Sequence, residues 1–226
     1  MISICIPVYE QNGMGRNYLL QLFQSIAIQT YRDFEVIVSD NSRDDVIQNA
    51  CAQYWHFPIR YFRNNESFGV SNNTNNALDK ARGEHVKIMY SDDLFLTAGA
   101  LELFVRALHA SAWAVSDNQT LDQSGYRQRH INKAGWNSDL IKGNNTLGMP
   151  SVMAMVRNEL RFDSNLTTLL DCEFYYRMHK LYGEPVYIHQ PLIGQRYWPG
   201  SMSLTEPNHK AEDFEYIKQK HPELSL

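Results

Sequence analysis

Short, nearly uninterrupted apolar runs alternate with amphipathic segments over the first half of the chain. The runs at 2–8 and 34–38 are typical of strands buried on both faces. Gly83 ends a helical pattern, and we expect it to provide a left-handed C-terminal stop. Strand–helix alternation predicts right-handed crossovers and an α/β fold with a mostly parallel sheet. The predicted elements are strands at 2–8, 34–38, 59–62 and 85–90 and helices at 19–27, 46–54, 69–82 and 101–108.

The second half has a less regular pattern, which predicts additional strands that make the sheet mixed. Residues 132–150 are rich in Asn and Gly and are predicted to form an irregular loop with a short helix. No linker interrupts the chain, so we predict a single domain over 1–226, with a first half at 1–93 and a second half at 94–226. The predicted elements are strands at 113–116, 126–131, 152–156, 186–188 and 192–197 and helices at 172–182, introduced by Asp171, and 211–217.

Composition excludes several classes of protein. The 226 residues carry a formal charge of −4, which argues against a generally basic nucleic-acid-binding protein. No apolar run approaches the roughly 20 residues that cross a bilayer, and no signal peptide precedes the first strand. The three cysteines are scattered and odd in number, so neither a disulfide framework nor a zinc site is expected. These features predict a reduced, cytoplasmic protein.

Three acidic residues follow predicted strands directly. Asp40 comes after the second strand, and Asp92 and Asp93 come after the fourth. Ligands of open α/β sheets bind at the carboxyl ends of the strands. Adjacent carboxylates there suit a hard cation such as Mg²⁺ or Mn²⁺, which shares its remaining positions with substrate phosphates. The alternative is that Asp92 or Asp93 caps a following helix and that Asp40 is a turn residue.

Several ordered segments together resemble the inverting glycosyltransferases of family 2. The resemblance implies a GT-A fold, which is a Rossmann-like mixed, mostly parallel sheet flanked by helices. It covers roughly 200 residues in the family's order, which is more specific than any single short motif. The segments that carry it are SICIPVYE at 3–10, EVIVSDNSRDD at 35–45, the run from 64 to 93 ending in YSDD, GMPSVMAMVRN at 148–158, LLDCEFYYRM at 169–178 and QRYWPGSMS at 195–203.

The resemblance implies that 1–93 is the nucleotide-sugar-binding half and 94–226 the acceptor-side half. For the donor nucleotide, it implies contacts from the ends of the first two strands. Pro7 and Tyr9 would form the nucleobase end, with Tyr9 stacked on the ring and Glu10 nearby. Asp40 would accept a hydrogen bond from the ring N3–H of the base, which favours uridine or thymidine. Asn75 matches a position near the nucleotide-sugar, and its alternative is an ordinary exposed helix residue.

For the chemistry, the resemblance assigns Asp93 to the metal and Asp92 to the metal or the ribose. Arg196 would pair with the diphosphate, since a guanidinium can bind phosphate with two hydrogen bonds. Asp171 would be the general base that deprotonates the acceptor hydroxyl, and it could also serve as a helix N-cap. Glu173 is the rival base, because it lies only two residues further along the chain.

Three positions depart from the family's pattern. Tyr90 replaces an acidic residue, Thr74 stands where an arginine is common, and Trp198 stands where a histidine is common. The loss of that arginine removes a phosphate contact. Trp198 would pack either on a sugar face or in the protein core.

The function predicted from the sequence is transfer of a single sugar from a nucleotide-sugar, with UDP favoured, to a hydroxyl of a glycan or lipid-linked sugar. By analogy with the family, this predicts surface-polysaccharide or glycoconjugate synthesis and peripheral association with the inner face of the cytoplasmic membrane. One alternative is a non-catalytic protein of the same fold that binds sugar-nucleotides or glycans. Another, a nucleotidyltransferase, is disfavoured because no Gly-rich loop with a lysine follows the first strand.

Overall fold

The computed structural model describes residues 1–11, 13–201 and 209–224, and within them one nine-stranded sheet is flanked by helices. The strands are β1 (Ile2–Val8), β2 (Phe34–Asp40), β3 (Ile59–Arg63), β4 (His85–Ile88), β5 (Leu94–Phe95), β6 (Trp113–Leu121), β7 (Arg127–Asn132), β8 (Met153–Val156) and β9 (Val186–Arg196). The helices are α1 (Gly15–Ala27), α2 (Val46–Gln53), α3 (Val70–Asp79), α4 (Ala100–Leu108), α5 (Leu170–Tyr182) and α6 (Lys210–Lys220), with 3-10 turns at Ser138–Lys142 and Pro150–Val152.

The first four strands form a wholly parallel unit in the order β3-β2-β1-β4. All seven residues of β1 are buried, because the strand lies between β2 and β4 and is covered on both faces. Its last residue, Val8, pairs with Asp40 at the end of β2. The segments that follow the two strands therefore leave the sheet side by side, at the edge where such sheets bind ligands.

The remaining strands extend the same sheet with mixed directions. β8 runs antiparallel between β4 and β6, while β9 lies parallel to β6 and carries the short antiparallel β5 at its other edge. β7 pairs only with β6, off the main path of the sheet. One sheet thus runs through both predicted halves, and the predicted α/β fold is confirmed.

Packing of apolar residues explains the helices that cover this sheet. In α4, Leu101, Phe104, Val105 and Leu108 recur at helical spacing, and all four are buried.

The three cysteines are buried and free. No helix in the described ranges has the length and apolarity needed to cross a membrane.

Some boundaries differ from the sequence-based prediction. α3 ends at Asp79, and Gly83 is not in a left-handed conformation. A side chain at Gly83 would instead come within 2.9 Å of the backbone oxygen of Met1, so the close approach of β1 requires glycine there. The predicted strands at 186–188 and 192–197 form one strand, β9, which stays continuous because register shifts absorb its irregularity opposite β6.

The start of α5 also differs from the prediction. The helix begins at Leu170, so Asp171 lies in its first turn and is not the N-cap. The carboxylate of Asp213 on α6 accepts hydrogen bonds from the backbone N–H groups of Thr167, Thr168 and Leu169, at 2.6 to 3.2 Å. These contacts satisfy the backbone just before α5, while the Asp171 carboxylate accepts from the backbone N–H of Cys172 within the first turn.

Candidate active site

An open cleft of about 1570 Å³ lies at the carboxyl ends of the parallel strands. The end of β1, the turn after β4, the loop before the Pro150–Val152 turn and the start of α5 all contribute to its wall. The cleft therefore brings together residues that are far apart in the sequence. Of the residues predicted to form the site, those that line the cleft are Pro7, Tyr9, Asp92, Asp93, Asp171 and Arg196.

Asp92 and Asp93 form an acidic turn between β4 and β5. No helix follows directly, since α4 begins only at Ala100, and the alternative role of these residues as helix caps is therefore wrong. Asp93 is 3% exposed, and burial together with the neighbouring Asp92 raises the pKa of Asp93 to about 8. Burial also raises the pKa of Asp92. The turn thus holds two carboxylates whose negative charge the protein compensates only in part.

Arg196 and Trp198 both hydrogen-bond to Asp92 and thereby support this turn. Arg196 is 3% exposed, and its guanidinium donates to the backbone oxygens of Asp92 (2.9 Å) and Gln123 (2.7 Å) and to the side chain of Gln21 (2.7 Å). The indole N–H of Trp198 donates to a carboxylate oxygen of Asp92 at 3.1 Å. Most of the donors that the diphosphate assignment of Arg196 requires are therefore engaged with protein.

Of the two positions predicted for Trp198, a sugar face or the protein core, the structure shows the core. It is buried and packs edge-on against Tyr18, with ring centroids 5.2 Å apart. It thus belongs to the core while its polar atom reaches the acidic turn. The segment predicted at 195–203 continues past Ser201, and its last two residues lie outside the described ranges.

A fully buried lysine, which the sequence analysis did not identify, lies beneath the same turn. The ammonium of Lys87 donates to the backbone oxygens of Ile88 (2.9 Å), Met153 (3.2 Å) and Ser151. The hydroxyl of Ser151 in turn accepts from the backbone N–H of Tyr90 at 2.9 Å and hydrogen-bonds to Asp93. Lys87 thereby ties the Pro150–Val152 turn to β4. Burial lowers the pKa of its ammonium group well below the usual value, and the nearby Asp93 carboxylate opposes this shift in part.

The acidic turn fits a hard divalent cation. Its donors are carboxylate oxygens, which Mg²⁺ and Mn²⁺ prefer, and the raised pKa values show that a further positive charge would be stabilising there. Among the described residues no group of three or more His, Cys, Asp or Glu side chains could hold a metal by itself. A cation at this turn would therefore share its coordination with a bound ligand.

Asp171 faces the cleft from the first turn of α5. One carboxylate oxygen accepts from the backbone N–H of Cys172 at 2.7 Å, and the other accepts from the side-chain amide of Asn145 at 2.7 Å. Burial raises the pKa of Asp171. Asn145 also organises its own turn, accepting from the backbone N–H groups of Leu147 and Gly148 at 3.1 and 3.0 Å. The carboxylate is therefore held in one orientation and is more basic than an exposed aspartate.

Glu173 points away from the cleft and is completely buried. Arg177 binds its carboxylate with two contacts of 2.8 Å, and Lys220 and His221 of the last helix approach it at 2.8 and 3.0 Å. Although burial opposes ionisation, these partners lower the pKa of Glu173. A carboxylate with so many donors is a structural ion, and the contacts argue against Glu173 as the base.

The predicted nucleotide-binding residues occupy two different environments. Pro7 and Tyr9 line the mouth of the cleft, and Tyr9 is 50% exposed. The carboxylate of Glu10 lies outside the cleft lining and accepts from the backbone N–H of Arg16 at 3.1 Å, at the start of α1. Asp40 is fully buried at the end of β2 and accepts from the Tyr61 hydroxyl at 2.7 Å.

Asn75 makes a different contact from the one predicted. Its amide donates to the backbone oxygen of Phe162 and accepts from the same residue's N–H, both at 2.8 Å. It does not line the cleft. The hydroxyl of Thr74 donates to the backbone oxygen of Val70 at 2.7 Å, and Thr74 does not line the cleft. Tyr90 lines the cleft, and burial and the nearby Asp171 raise the pKa of its phenol.

Together, the sheet order, the cleft at the strand ends and the acidic turn after β4 define the GT-A class of protein. Solved structures agree. S. aureus TarS 1-349 in complex with UDP-GlcNAc matches with a TM-score of 0.75 at 20% identity, over 100% of this chain and 67% of that one. The mannosyltransferase PcManGT from Pyrobaculum calidifontis, in complex with GDP-Man and Mn²⁺, matches with a TM-score of 0.59 at 16% identity, over 87% of this chain and 56% of that one.

The family follows from sequence comparison. Residues 3–178 match the family described as Glycosyl transferase family 2, so the chain belongs to that family. The GalNAc(5)-diNAcBac-PP-undecaprenol beta-1,3-glucosyltransferase of Campylobacter jejuni is 32% identical over 143 residues, which are 61% of this chain and 44% of that protein. The chondroitin synthase of Escherichia coli is 29% identical over 55% of this chain and 18% of that protein. The chain spans less than half the length of both relatives.

Proposed function

We propose that this chain is a metal-dependent, inverting glycosyltransferase that transfers a single hexose from a UDP-sugar to an acceptor hydroxyl. The observation that carries the proposal is that a positioned, basic carboxylate at Asp171 lines the same cleft as the acidic turn of Asp92 and Asp93. One site thus combines a base for the acceptor with a cation site for the leaving diphosphate.

In the reaction, the carboxylate of Asp171 takes the proton of the acceptor hydroxyl as its oxygen attacks the anomeric carbon. The bond from that carbon to the diphosphate breaks, and its electron pair leaves with the nucleotide. A bound Mg²⁺ or Mn²⁺, held by Asp93 and Asp92, would act as a Lewis acid that stabilises the charge of the departing diphosphate. Because displacement is direct, an α-linked donor gives a β-linked product.

The donor site is formed by the ends of β1 and β2. Tyr9 offers an exposed ring for stacking at the cleft mouth, and Asp40 lies beside Asn41, which lines the cleft. Uracil offers a ring N–H between two carbonyl oxygens, which suits a carboxylate better than adenine does. Arg196 acts on the diphosphate indirectly, through the acidic turn that it supports. Glu10 holds the start of α1, and Asn75 holds the backbone at Phe162.

The acceptor is a glycan or a lipid-linked sugar. The name of the Campylobacter jejuni relative describes a lipid-linked acceptor, and we extend that class to this chain. The corresponding location is the cytoplasm, with peripheral association at the inner face of the cytoplasmic membrane, and the process is the synthesis of a surface polysaccharide or glycoconjugate.

The test is hydrolysis of UDP-sugars by the purified chain with Mn²⁺, since a competent transferase site releases some sugar to water. We expect hydrolysis that EDTA abolishes, tighter calorimetric binding of UDP than of GDP or ADP, and an inverted anomeric configuration by NMR. Binding of UDP without hydrolysis of any donor would favour the non-catalytic alternative. Equal binding of UDP, GDP and ADP would contradict the proposed role of Asp40 in recognising uracil.

A further inference from the structure

A strand of strongly basic character leads out of the cleft on its acceptor side. Residues 126–133 contain Arg127, Arg129 and Lys133 and no acidic residue, although the whole chain carries a formal charge of −4. The five residues Arg127–Ile131 of β7 are exposed, as is Lys133 directly after the strand. This segment, which we call the basic strand, therefore contributes little to the core.

The basic strand is continuous with the candidate active site. Its last residues, Ile131, Asn132 and Lys133, line the same cleft as Asp171 and the acidic turn. The strand rises roughly 3.3 Å per residue, so its cations are distributed over some 20 Å leading away from the cleft. A long ligand with one end at Asp171 could lie along this path.

The positive charges of the strand are available to a ligand. No ion pair within the described residues involves Arg127, Arg129 or Lys133. One guanidinium nitrogen of Arg127 donates to the backbone oxygen of Leu96 at 2.6 Å, which fixes the side chain while its charge stays unneutralised. Clustered like charges repel each other, so this arrangement gains stability when an anion binds.

The strand is also held at both ends, although its surface is open. At its start, Asp122 accepts from the backbone N–H groups of Ser124 and Tyr126 at 2.9 and 3.0 Å and closes the hairpin turn. After its end, the N–H of Ala134 donates to Asp117 at 2.9 Å, and the ring of Trp136 stacks on a histidine at a centroid distance of 3.7 Å. An ordered but exposed strand can present its side chains without a large entropic cost.

We propose that the basic strand is the acceptor subsite of this protein and that it binds a glycan carrying negatively charged groups along its chain. This inference rests on the proposed function and specifies its acceptor. Arginine binds carboxylates and phosphates through paired hydrogen bonds, which makes either group a suitable partner. A glycan fits better than a membrane surface, because Ile131 and Lys133 face the cleft that the acceptor must enter.

The experiment compares two charge-matched double variants of the full chain. Arg129→Gln with Lys133→Gln removes two cations of the basic strand. The control, Arg82→Gln with Arg106→Gln, removes two exposed cations that do not line the cleft. The probes are a hexasaccharide of alternating glucuronate and N-acetylglucosamine, an oligomer of glycerol phosphate, neutral chitohexaose and vesicles containing phosphatidylglycerol.

We expect the wild type and the control to bind at least one anionic oligomer better than chitohexaose, and the strand variant to bind it about tenfold more weakly. Binding should weaken as salt rises, because exposed charges are screened. Equal binding by both variants, or a defect seen only with vesicles, would overturn the proposal. UDP-sugar hydrolysis by the wild type is measured in parallel, and its absence would count against the proposed function. Glycan binding is a separate measurement and tests only the basic strand.

Discussion

The parallel and the mixed parts of the sheet hold their cleft residues in different ways. At the end of β1, Pro7 and Tyr9 reach the cleft because the strand itself ends there. In the second half, Asp171 depends on Asn145, which is 26 residues away in sequence and belongs to an irregular loop. The residues at the end of β1 are thus positioned by regular backbone pairing, and Asp171 by side-chain hydrogen bonds between distant segments.

This difference indicates where each half is sensitive to substitution. A strand paired on both sides leaves little freedom for the residues at its end, so donor-side geometry should survive the loss of one side-chain contact. A carboxylate held by one amide and one backbone N–H loses its orientation when the amide is removed. Substitutions on the acceptor side should therefore separate catalysis from folding more clearly.

The largest effect is expected at the base. Asp171→Asn keeps the size of the side chain but removes its basicity, so turnover should fall by roughly 10²–10⁴-fold in kcat with the donor KM little changed. Stability should fall little, because the loss of one accepted hydrogen bond is offset by the removal of a buried charge. Steady-state kinetics measure turnover and the donor KM, and thermal unfolding measures stability. Near-normal turnover would remove Asp171 from the mechanism.

A somewhat smaller loss is expected at the acidic turn. Asp93→Asn should lower turnover by roughly 10²–10³-fold, because the site loses part of its affinity for the cation and of its stabilisation of the leaving group. The fold should be retained, since the charge removed is buried and only partly compensated. The measurement is activity against Mn²⁺ concentration, with Asp139→Asn as an exposed control. Activity of the Asp93 variant that persists in EDTA would contradict a metal role.

A more moderate effect is expected at the residue that orients the base. Asn145→Ala should lower kcat by about tenfold, because Asp171 loses one of its two hydrogen bonds. That bond lowers the pKa of Asp171, so its loss raises this pKa further and moves the acidic limb of the kcat profile to higher pH. The exposed Asn165→Ala is the control. An unshifted pH profile with reduced kcat would mean that Asn145 acts only through the loop.

The smallest effect on turnover is expected at Glu173. Glu173→Gln should leave kcat nearly unchanged but cost about 1–3 kcal/mol of unfolding free energy, because Arg177 and Lys220 lose a buried partner. The folded-state pKa of Glu173 is lowered, so its contribution is complete above the unfolded-state pKa and is lost as pH falls through the folded-state value. Denaturant unfolding should therefore show a difference in unfolding free energy between the wild type and the variant that becomes smaller at acidic pH. A large fall in kcat would reinstate Glu173 as a candidate base.

The sequence alone predicted the parallel half of the fold well, for a physical reason. Buried strands between helices need continuous apolar runs, and these are visible without any knowledge of tertiary contacts. The acidic residues after β4 were recognisable for the same reason, since they follow such a run directly. Family resemblance added the ordered segments, and the match over residues 3–178 confirms it.

The tertiary structure decided which residues of the second half act together. Asn145, Lys87 and Ser151 carry no local signal, because an asparagine in an Asn-rich loop, a lysine in a strand and a serine after a proline are all ordinary. The sequence analysis assigned Arg196 to the diphosphate and Glu173 as the rival base, but only their partners show that Arg196 supports the acidic turn and that Glu173 joins α5 to the last helix. Local patterns determine periodicity and burial, whereas hydrogen bonds between segments more than a hundred residues apart depend on how the sheet brings those segments together.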